Sequence, residues 1–201
     1  MYKSKPIVVE QLFDADTYAT IRRFMSEWGP LLQVESDLYE ERTPFMFGRK
    51  WTHNTPFFVD IHNQLSEYAS DIFGEKVKPS YVFLSMYEND GRCPLHIDRP
   101  QCRYTIDYLI QQEQTEPWPI CIGQQKTDKE LKQVTENNPS TDEEIRDVIA
   151  NENWTTVNLN PNDAVCYSGT HAWHYRPEAS RGTADLVFFH FVPWRYNGPL
   201  D

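Results

Sequence analysis

The chain has 201 residues, of which 39% are hydrophobic and 14% aromatic, and this is enough apolar material for one globular domain with a sizeable core. Its 30 acidic and 19 basic residues give a formal net charge of −11, which argues against a nucleic-acid partner because such partners are bound through clustered Lys and Arg. No stretch approaches the roughly 18 apolar residues of a membrane span, and no secretory signal follows the first residues, so we expect a single cytoplasmic domain over residues 1–201.

Helical patterns occupy the first part of the chain. Apolar side chains recur at helical spacing over residues 14–28, behind an Asp that can cap a helix, and again over residues 57–73, ahead of Gly74. Residues 43–55 have no clear period and are expected to reach the mouth of a pocket. We therefore predict that residues 1–78 form a mostly helical support for a sheet.

After residue 78 the pattern changes to short β-branched and aromatic runs that are separated by turn residues. Eight such runs predict strands, at residues 80–87, 93–98, 103–110, 118–123, 155–159, 163–168, 172–176 and 184–192. The acidic segment 125–153 interrupts them and contains two short helical patterns, over 128–134 and 141–149, the second with a helix start at Ser140 or Thr141. We interpret this segment as a solvated insertion, with a lid or partner surface over the pocket as the alternative. The expected class is mainly β with flanking N-terminal helices (α+β).

The pattern most specific for chemistry is His96-Ile-Asp98, together with His174 far along the chain. Two imidazoles and one carboxylate are the ligand set of a facial triad, which leaves the opposite positions of a metal open, and Fe(II) is the leading metal. The i, i+2 spacing suits the end of a strand, where alternate side chains share a face, and does not suit a helix. The alternative is a surface His96 hydrogen-bonded to Asp98, since an isolated His-x-Asp arises by chance in many sequences.

Taken in order, the motifs resemble those of the Fe(II)- and 2-oxoglutarate-dependent oxygenases, in their prolyl-hydroxylase-like form. The resemblance covers roughly residues 79–194 and is carried by Ser85-Met-Tyr87 with Gly91, His96-x-Asp98, the run from Asn162 to Gly169, His174-Tyr-Arg176, and the strand from Ala184 to Val192. It implies a double-stranded β-helix (jelly roll) over residues 79–194. It also implies an Fe(II) ion held by His96, Asp98 and His174, and 2-oxoglutarate as cosubstrate.

The activity implied by the resemblance is oxidation of a substrate, coupled to conversion of 2-oxoglutarate and O₂ to succinate and CO₂. Because related halogenases lack the carboxylate that Asp98 provides, its presence favours hydroxylation. A small molecule, an amino acid or a peptidyl side chain would each suit such an enzyme. The competing interpretations are a cupin-type metal-dependent enzyme that does not use 2-oxoglutarate, and a noncatalytic binding module on the same fold.

Two histidines compete for the distal ligand position. On a regular strand His174 shares a face with Arg176, whose planar fork can bind the far carboxylate of 2-oxoglutarate bidentately, so this pair is preferred. The alternative is His171 with Arg181, which has the ten-residue separation common in other branches of the family.

Hydroxyl groups that resemble the family's further contacts to the cosubstrate are those of Tyr87 and, more weakly, Ser85. Tyr104 and His190 are candidates for supporting residues around the site, although a buried side chain satisfied by its neighbours is the better interpretation of each. The four cysteines have no Cys-x-x-Cys spacing, so we expect reduced thiols, with a Cys93–Cys102 disulfide as the alternative.

Overall fold

A computed structural model describes residues 5–32, 48–89, 91–114, 116–127, 142–177 and 182–201 of the chain. Within these ranges the four α-helices are α1 (Ala15–Trp28), α2 (Pro56–Gln64), α3 (Ser66–Phe73) and α4 (Asp142–Asn151). The ten strands are β1 (Ile7–Val9), β2 (Arg49–His53), β3 (Val77–Tyr87), β4 (Cys93–His96), β5 (Tyr104–Gln114), β6 (Ile120–Gly123), β7 (Trp154–Val157), β8 (Ala164–Tyr167), β9 (His174–Arg176) and β10 (Gly182–Pro193).

The strands form two antiparallel sheets that pack against each other. The larger sheet has the order β1-β8-β5-β10-β3-β2, and the smaller has the order β4-β9-β6-β7. A buried apolar cluster joins them, with Leu109 and Leu186 from the larger sheet and Ile120 and Ile122 from the smaller. This arrangement is the jelly roll expected from the order of the motifs, and all eight predicted strands are present, shifted by a few residues at their ends.

A second cluster lies on the other side of the larger sheet, where the N-terminal helices pack. Ile21 of α1 and Phe58 of α2 are buried against Leu84 of β3 and Phe189 of β10. The central strands of this sheet are thus covered on both faces, which explains why their sequences are almost continuously apolar. No helix in the described part of the chain is long and apolar enough to cross a membrane.

The N-terminal region departs from the prediction in two ways. Its second helical stripe is divided at Leu65 into α2 and α3, and α3 ends at Gly74 in the left-handed conformation (φ 70°). Residues 7–9 and 49–53 form strands at the two edges of the larger sheet, so residues 1–78 supply sheet as well as helix. In the acidic segment, α4 coincides with the second predicted helix, whereas the first one, at 128–134, and its neighbours up to 141 lie outside the described residues.

The turn before β8 ties the N-terminal segment to the sheet. Asn162 has a positive φ of 75° and is buried. Its Oδ1 accepts hydrogen bonds from the Tyr108 hydroxyl (3.1 Å) and the Phe13 amide (3.4 Å), and its Nδ2 donates to the Phe13 carbonyl (2.8 Å). Asn tolerates this conformation better than most residues, so one side chain satisfies both the backbone geometry and three buried polar groups.

We predict that Asn162→Ala lowers the free energy of unfolding by about 2–4 kcal/mol, because it strands buried partners and places Ala at positive φ. The measurement is chemical denaturation of the purified protein. Asn151→Ala is the matched control, since Asn151 is exposed and donates one hydrogen bond, to the Asp147 carbonyl. Equal stability of the two variants would contradict this role of the turn.

Candidate metal centre

A cavity of about 380 Å³ opens between the two sheets, and it contains the residues that the motifs single out. His96 and His174 line it from the smaller sheet, and Asp98 lines it from the loop that follows β4. The nitrogen and oxygen atoms that these three side chains offer as ligands all lie within 4.8 Å of one another. The sequence-predicted triad is therefore brought together at the wall of a cavity.

Pairing of two short strands brings the histidines together. β4 and β9 are antiparallel, and His96 lies directly opposite His174, with ring centroids 4.2 Å apart. Asp98 follows in the loop, where its amide donates to the Gly169 carbonyl (2.9 Å). Its Oδ1 lies 3.3 Å from His96 Nε2 and 3.5 Å from His174 Nε2.

The hydrogen bonds of the imidazoles determine which nitrogen faces the centre. His96 Nδ1 lies 2.7 Å from the Pro94 carbonyl oxygen, and His174 Nδ1 lies 2.9 Å from the Ala172 carbonyl oxygen. A carbonyl can only accept, so each Nδ1 carries a proton and each ring directs its Nε2 toward Asp98. When Nε2 of both rings is deprotonated, two lone pairs and a carboxylate oxygen face one another, and a divalent metal fits this donor set.

The electrostatics of the cluster favour the ionised form of Asp98. Burial acts to raise the pKa of Asp98, but the two facing imidazoles outweigh it and lower that pKa well below its usual value. Burial acts to lower the pKa of His96, but Cys93 and Asp98 raise it well above its usual value. Asp98 therefore remains a carboxylate, as a metal ligand must.

The second carboxylate oxygen of Asp98 is held in a tight space. Thr105 donates to Oδ2 (3.4 Å) and also contacts His190 Nδ1 (3.1 Å). A Cβ atom on Gly169 would overlap Oδ2 and would lie 2.7 Å from the Cys102 carbonyl oxygen. Only glycine at position 169 thus lets Asp98 take its position beside the histidines.

Arg176 lines the same cavity beyond His174, but it is already engaged. Its Nη2 donates to Asp107 Oδ2 (2.7 Å), and its Nη1 donates to the Trp118 carbonyl (3.3 Å). Both charged side chains are buried. Burial raises the pKa of Asp107, with Arg176 acting in the opposite direction. Arg176 is therefore positioned by an acidic partner that the sequence analysis did not identify.

A second arginine, Arg49 of β2, lines the cavity; the sequence predicts that its segment reaches the pocket mouth but assigns this side chain no role. It pairs across the sheet with Tyr87, and its Nη1 donates to the Tyr87 hydroxyl (2.9 Å) and to Ser85 Oγ (3.3 Å). Burial raises the pKa of Tyr87 to about 12 although Arg49 acts to lower it, so this hydroxyl keeps its proton. The alternation of Arg49, Trp51 and His53 was the available signal for an inward-facing strand edge.

The competing histidine is placed elsewhere. His171 lies in the turn before β9, and its Nε2 contacts Arg103 Nη1, outside the cavity. Arg181, its predicted partner, lies outside the described residues.

The two candidate supporting residues, His190 and Tyr104, lie in different parts of the structure. His190 lines the cavity, whereas the Tyr104 hydroxyl donates to Glu75 and its ring stacks on Phe73 in the helix-facing cluster. All four cysteines are free thiols, so Cys93 and Cys102 are not joined.

Comparison with known proteins identifies the fold. No protein-family profile and no curated protein sequence match this chain significantly. Among solved structures, EctD from S. alaskensis with 2-oxoglutarate and 5-hydroxyectoine has a TM-score of 0.65 at 12% identity, over 94% of this chain and 72% of its own. HygX from Streptomyces hygroscopicus, with nickel and 2-oxoglutarate bound, has a TM-score of 0.63 at 12% identity, over 95% of this chain and 84% of its own.

A third similar structure is also that of an oxygenase. An oxidoreductase of the 2OG-Fe(II) oxygenase family from Burkholderia pseudomallei has a TM-score of 0.61 at 13% identity, over 96% of this chain and 86% of its own. Identities this low establish shared architecture only. The chain therefore has the double-stranded β-helix fold of the 2-oxoglutarate- and Fe(II)-dependent oxygenases, as the sequence resemblance implied.

Proposed function

We propose that the protein is an Fe(II)- and 2-oxoglutarate-dependent oxygenase that hydroxylates a small molecule, an amino acid or a peptidyl side chain. The observation that carries this proposal is the convergence of His96, Asp98 and His174 on one point of the cavity wall. The fold supports it, because the structures of HygX and EctD contain 2-oxoglutarate. The overall reaction inserts one atom of O₂ into a substrate C–H bond and the other into succinate, with CO₂ leaving from 2-oxoglutarate.

The ion that the triad would hold is Fe(II), because two imidazoles and one carboxylate leave positions open for cosubstrate and oxygen. When bound, iron and 2-oxoglutarate supply the oxidising chemistry. The protein supplies geometry: the Pro94 and Ala172 carbonyls hold the imidazoles in the tautomer that binds metal, and Thr105 orients the carboxylate of Asp98.

The far carboxylate of 2-oxoglutarate would bind at the end of the cavity lined by Arg49 and Arg176, whereas Ser85 and Tyr87 do not line the cavity themselves and lie behind Arg49. Tyr87 and Ser85 each accept from Arg49, so their own hydroxyl protons are directed to other acceptors. Two guanidinium groups then face the anion, and the two hydroxyl groups hold Arg49 in position behind it. Asp107 is the buried partner of Arg176, and Arg49 contributes a second guanidinium group to this end of the cavity, so both arginines belong to the proposal.

We expect His174→Ala to lose bound metal and turnover, whereas His171→Ala retains both, because only His174 faces Asp98. The measurements are calorimetric titration with Fe(II) under anaerobic conditions and succinate release after oxygen is admitted. His171→Ala is the matched control from the adjacent turn. Loss of metal in His171→Ala with retention in His174→Ala would assign the ligand to His171.

We expect Gly169→Ala to weaken metal binding about 10- to 100-fold, because the added methyl group displaces the Asp98 carboxylate. Metal affinity is measured by titration with Fe(II), and thermal unfolding of the metal-free protein reports on the fold. The control is Gly29→Ala, whose added methyl group would meet Met25 at an ordinary 3.5 Å. Wild-type metal affinity in Gly169→Ala would show that Asp98 is not a metal ligand.

We expect Arg49→Gln to weaken 2-oxoglutarate binding by about 2–5 kcal/mol while leaving metal affinity unchanged, since a buried carboxylate loses a charged donor. The double variant Arg176→Gln/Asp107→Asn should also weaken it, and it removes the buried pair without leaving either charge unpaired. The affinity of each variant is measured by calorimetric titration of the Fe(II)-loaded protein with 2-oxoglutarate in the absence of oxygen.

Arg103→Gln is the control for these variants, because Arg103 contacts Thr170 and His171 outside the cavity. Unchanged affinity in both cavity variants, with a loss in Arg181→Gln, would assign the carboxylate to Arg181. Protein that binds Fe(II) but shows no binding of 2-oxoglutarate would instead favour a cupin-type metal enzyme.

A further inference from the structure

Away from Arg176, beyond the proposed metal ligands, the cavity has a floor of aromatic rings. Five rings from three neighbouring strands line it: His53 of β2, Tyr81 and Phe83 of β3, and Phe188 and His190 of β10. Their centroids form a closed circuit, with separations of 5.5 Å (His53–Tyr81), 4.7 Å (Tyr81–His190), 6.3 Å (His190–Phe188), 6.1 Å (Phe188–Phe83) and 4.8 Å (Phe83–His53). We call this surface the aromatic floor.

The aromatic floor meets the proposed cosubstrate end at Phe83 and extends from there along β3 toward Tyr81 and Arg99. Alternate residues of a strand share a face, so Tyr81, Phe83, Ser85 and Tyr87 form one inward row. Ser85 and Tyr87 accept hydrogen bonds from Arg49, and the guanidinium carbon of Arg49 lies 5.1 Å from the Phe83 ring centroid, whereas Tyr81 contacts Arg99 and Cys102 near Asp98. The floor also adjoins the metal ligands, because His190 contacts Thr105, which donates to Asp98.

Arg99 lies at the edge of the aromatic floor that is farther from the proposed cosubstrate end, which Arg49 lines. The guanidinium carbon of Arg99 lies 4.5 Å from the Tyr81 ring centroid, and Arg99 Nε donates to the Tyr81 hydroxyl (3.2 Å). Arg99 Nη2 lies 3.6 Å from Asp201 Oδ1, in a pair whose side chains are 43% and 57% exposed. Exposed pairs of this kind contribute little to stability, so an anionic group of a ligand can replace Asp201 at low cost.

We propose that the substrate is a planar aromatic compound that carries one anionic group, with its ring on the aromatic floor and its anion at Arg99. This inference rests on the proposed function, because the compound bound here would be the one that is oxidised. Rings attract a flat aromatic ligand more than a saturated ligand of the same size, in offset or edge-to-face contact. The guanidinium group selects an anion and disfavours a cation in the same position.

The test uses four probes that differ in one property each: 2-naphthoate, 2-naphthalenemethanol, 2-naphthylmethylamine and decahydro-2-naphthoate. Binding is measured calorimetrically on the full chain loaded with Ni(II) and saturating 2-oxoglutarate, so that the cosubstrate end is filled. We expect 2-naphthoate to bind about tenfold or more tightly than each of the others. Equal or tighter binding of the saturated acid or of the amine, or no binding of 2-naphthoate, would overturn the proposal.

Two variants assign the selectivity to the residues named. Arg99→Gln should remove the advantage of the acid over the alcohol, whereas Phe83→Leu should weaken the acid and the alcohol together, about three- to tenfold. Arg22→Gln is the matched control, since Arg22 also donates to a tyrosine hydroxyl (Tyr18, 3.3 Å) but lies on α1, away from the cavity. Phe188→Leu repeats the ring deletion if Phe83→Leu does not fold. An acid preference that survives Arg99→Gln would overturn the role of Arg99.

Failure of the substrate inference can be distinguished from failure of the proposed function. Conversion of 2-oxoglutarate to succinate by the Fe(II) protein tests the oxygenase activity, with and without 2-naphthoate. Succinate formation without the expected probe selectivity would overturn the substrate inference alone. Selective binding of 2-naphthoate by a protein that never forms succinate would overturn the oxygenase proposal and leave the aromatic floor as a binding site for aromatic anions.

Discussion

The register between two short strands is the constraint on which the candidate site depends. β4 and β9 contribute only four and three residues, yet their pairing places His96 opposite His174. Because strand side chains alternate, a slip of one residue would turn one imidazole away from the other and would move Arg176 out of the cavity. The Gly169 carbonyl then holds the Asp98 amide, so the carboxylate completes the cluster from a loop.

The larger sheet determines what surrounds that cluster. Its strands are covered by helices on one face, which provides a rigid apolar base, and only the other face lines the cavity. Along β3 the inward row is Tyr81, Phe83, Ser85 and Tyr87, with Arg99 against Tyr81 and Arg49 against the other three. The acidic partner Asp107 offsets Arg176 between the sheets. The one cavity is thus lined by aromatic rings and Arg99 toward one end and by Arg49 and the Arg176–Asp107 pair toward the other.

Much of the fold could be predicted from local pattern. The alternation of β-branched and aromatic residues indicated all eight strands of the region after residue 78, and the spacing of His96-x-Asp98 and His174-x-Arg176 indicated which side chains share a face. These features depend on neighbours one or two residues apart, for which strand geometry is nearly invariant. The same locality explains the error at Leu65, where a continuous helical stripe conceals a break between α2 and α3.

By itself, then, the sequence determined the jelly-roll class and predicted that His96, Asp98 and His174 form a metal site with Arg176 beside it, because these features lie within short segments or in the order of segments. Only the tertiary structure decided which distant groups meet: Arg49 with Ser85 and Tyr87, Asp107 with Arg176, and Arg99 beside the ring of Tyr81. Each of these contacts joins different strands or a strand and a loop, and the partner is selected by sheet order and register. Those follow from the packing of the whole domain, which no single segment encodes.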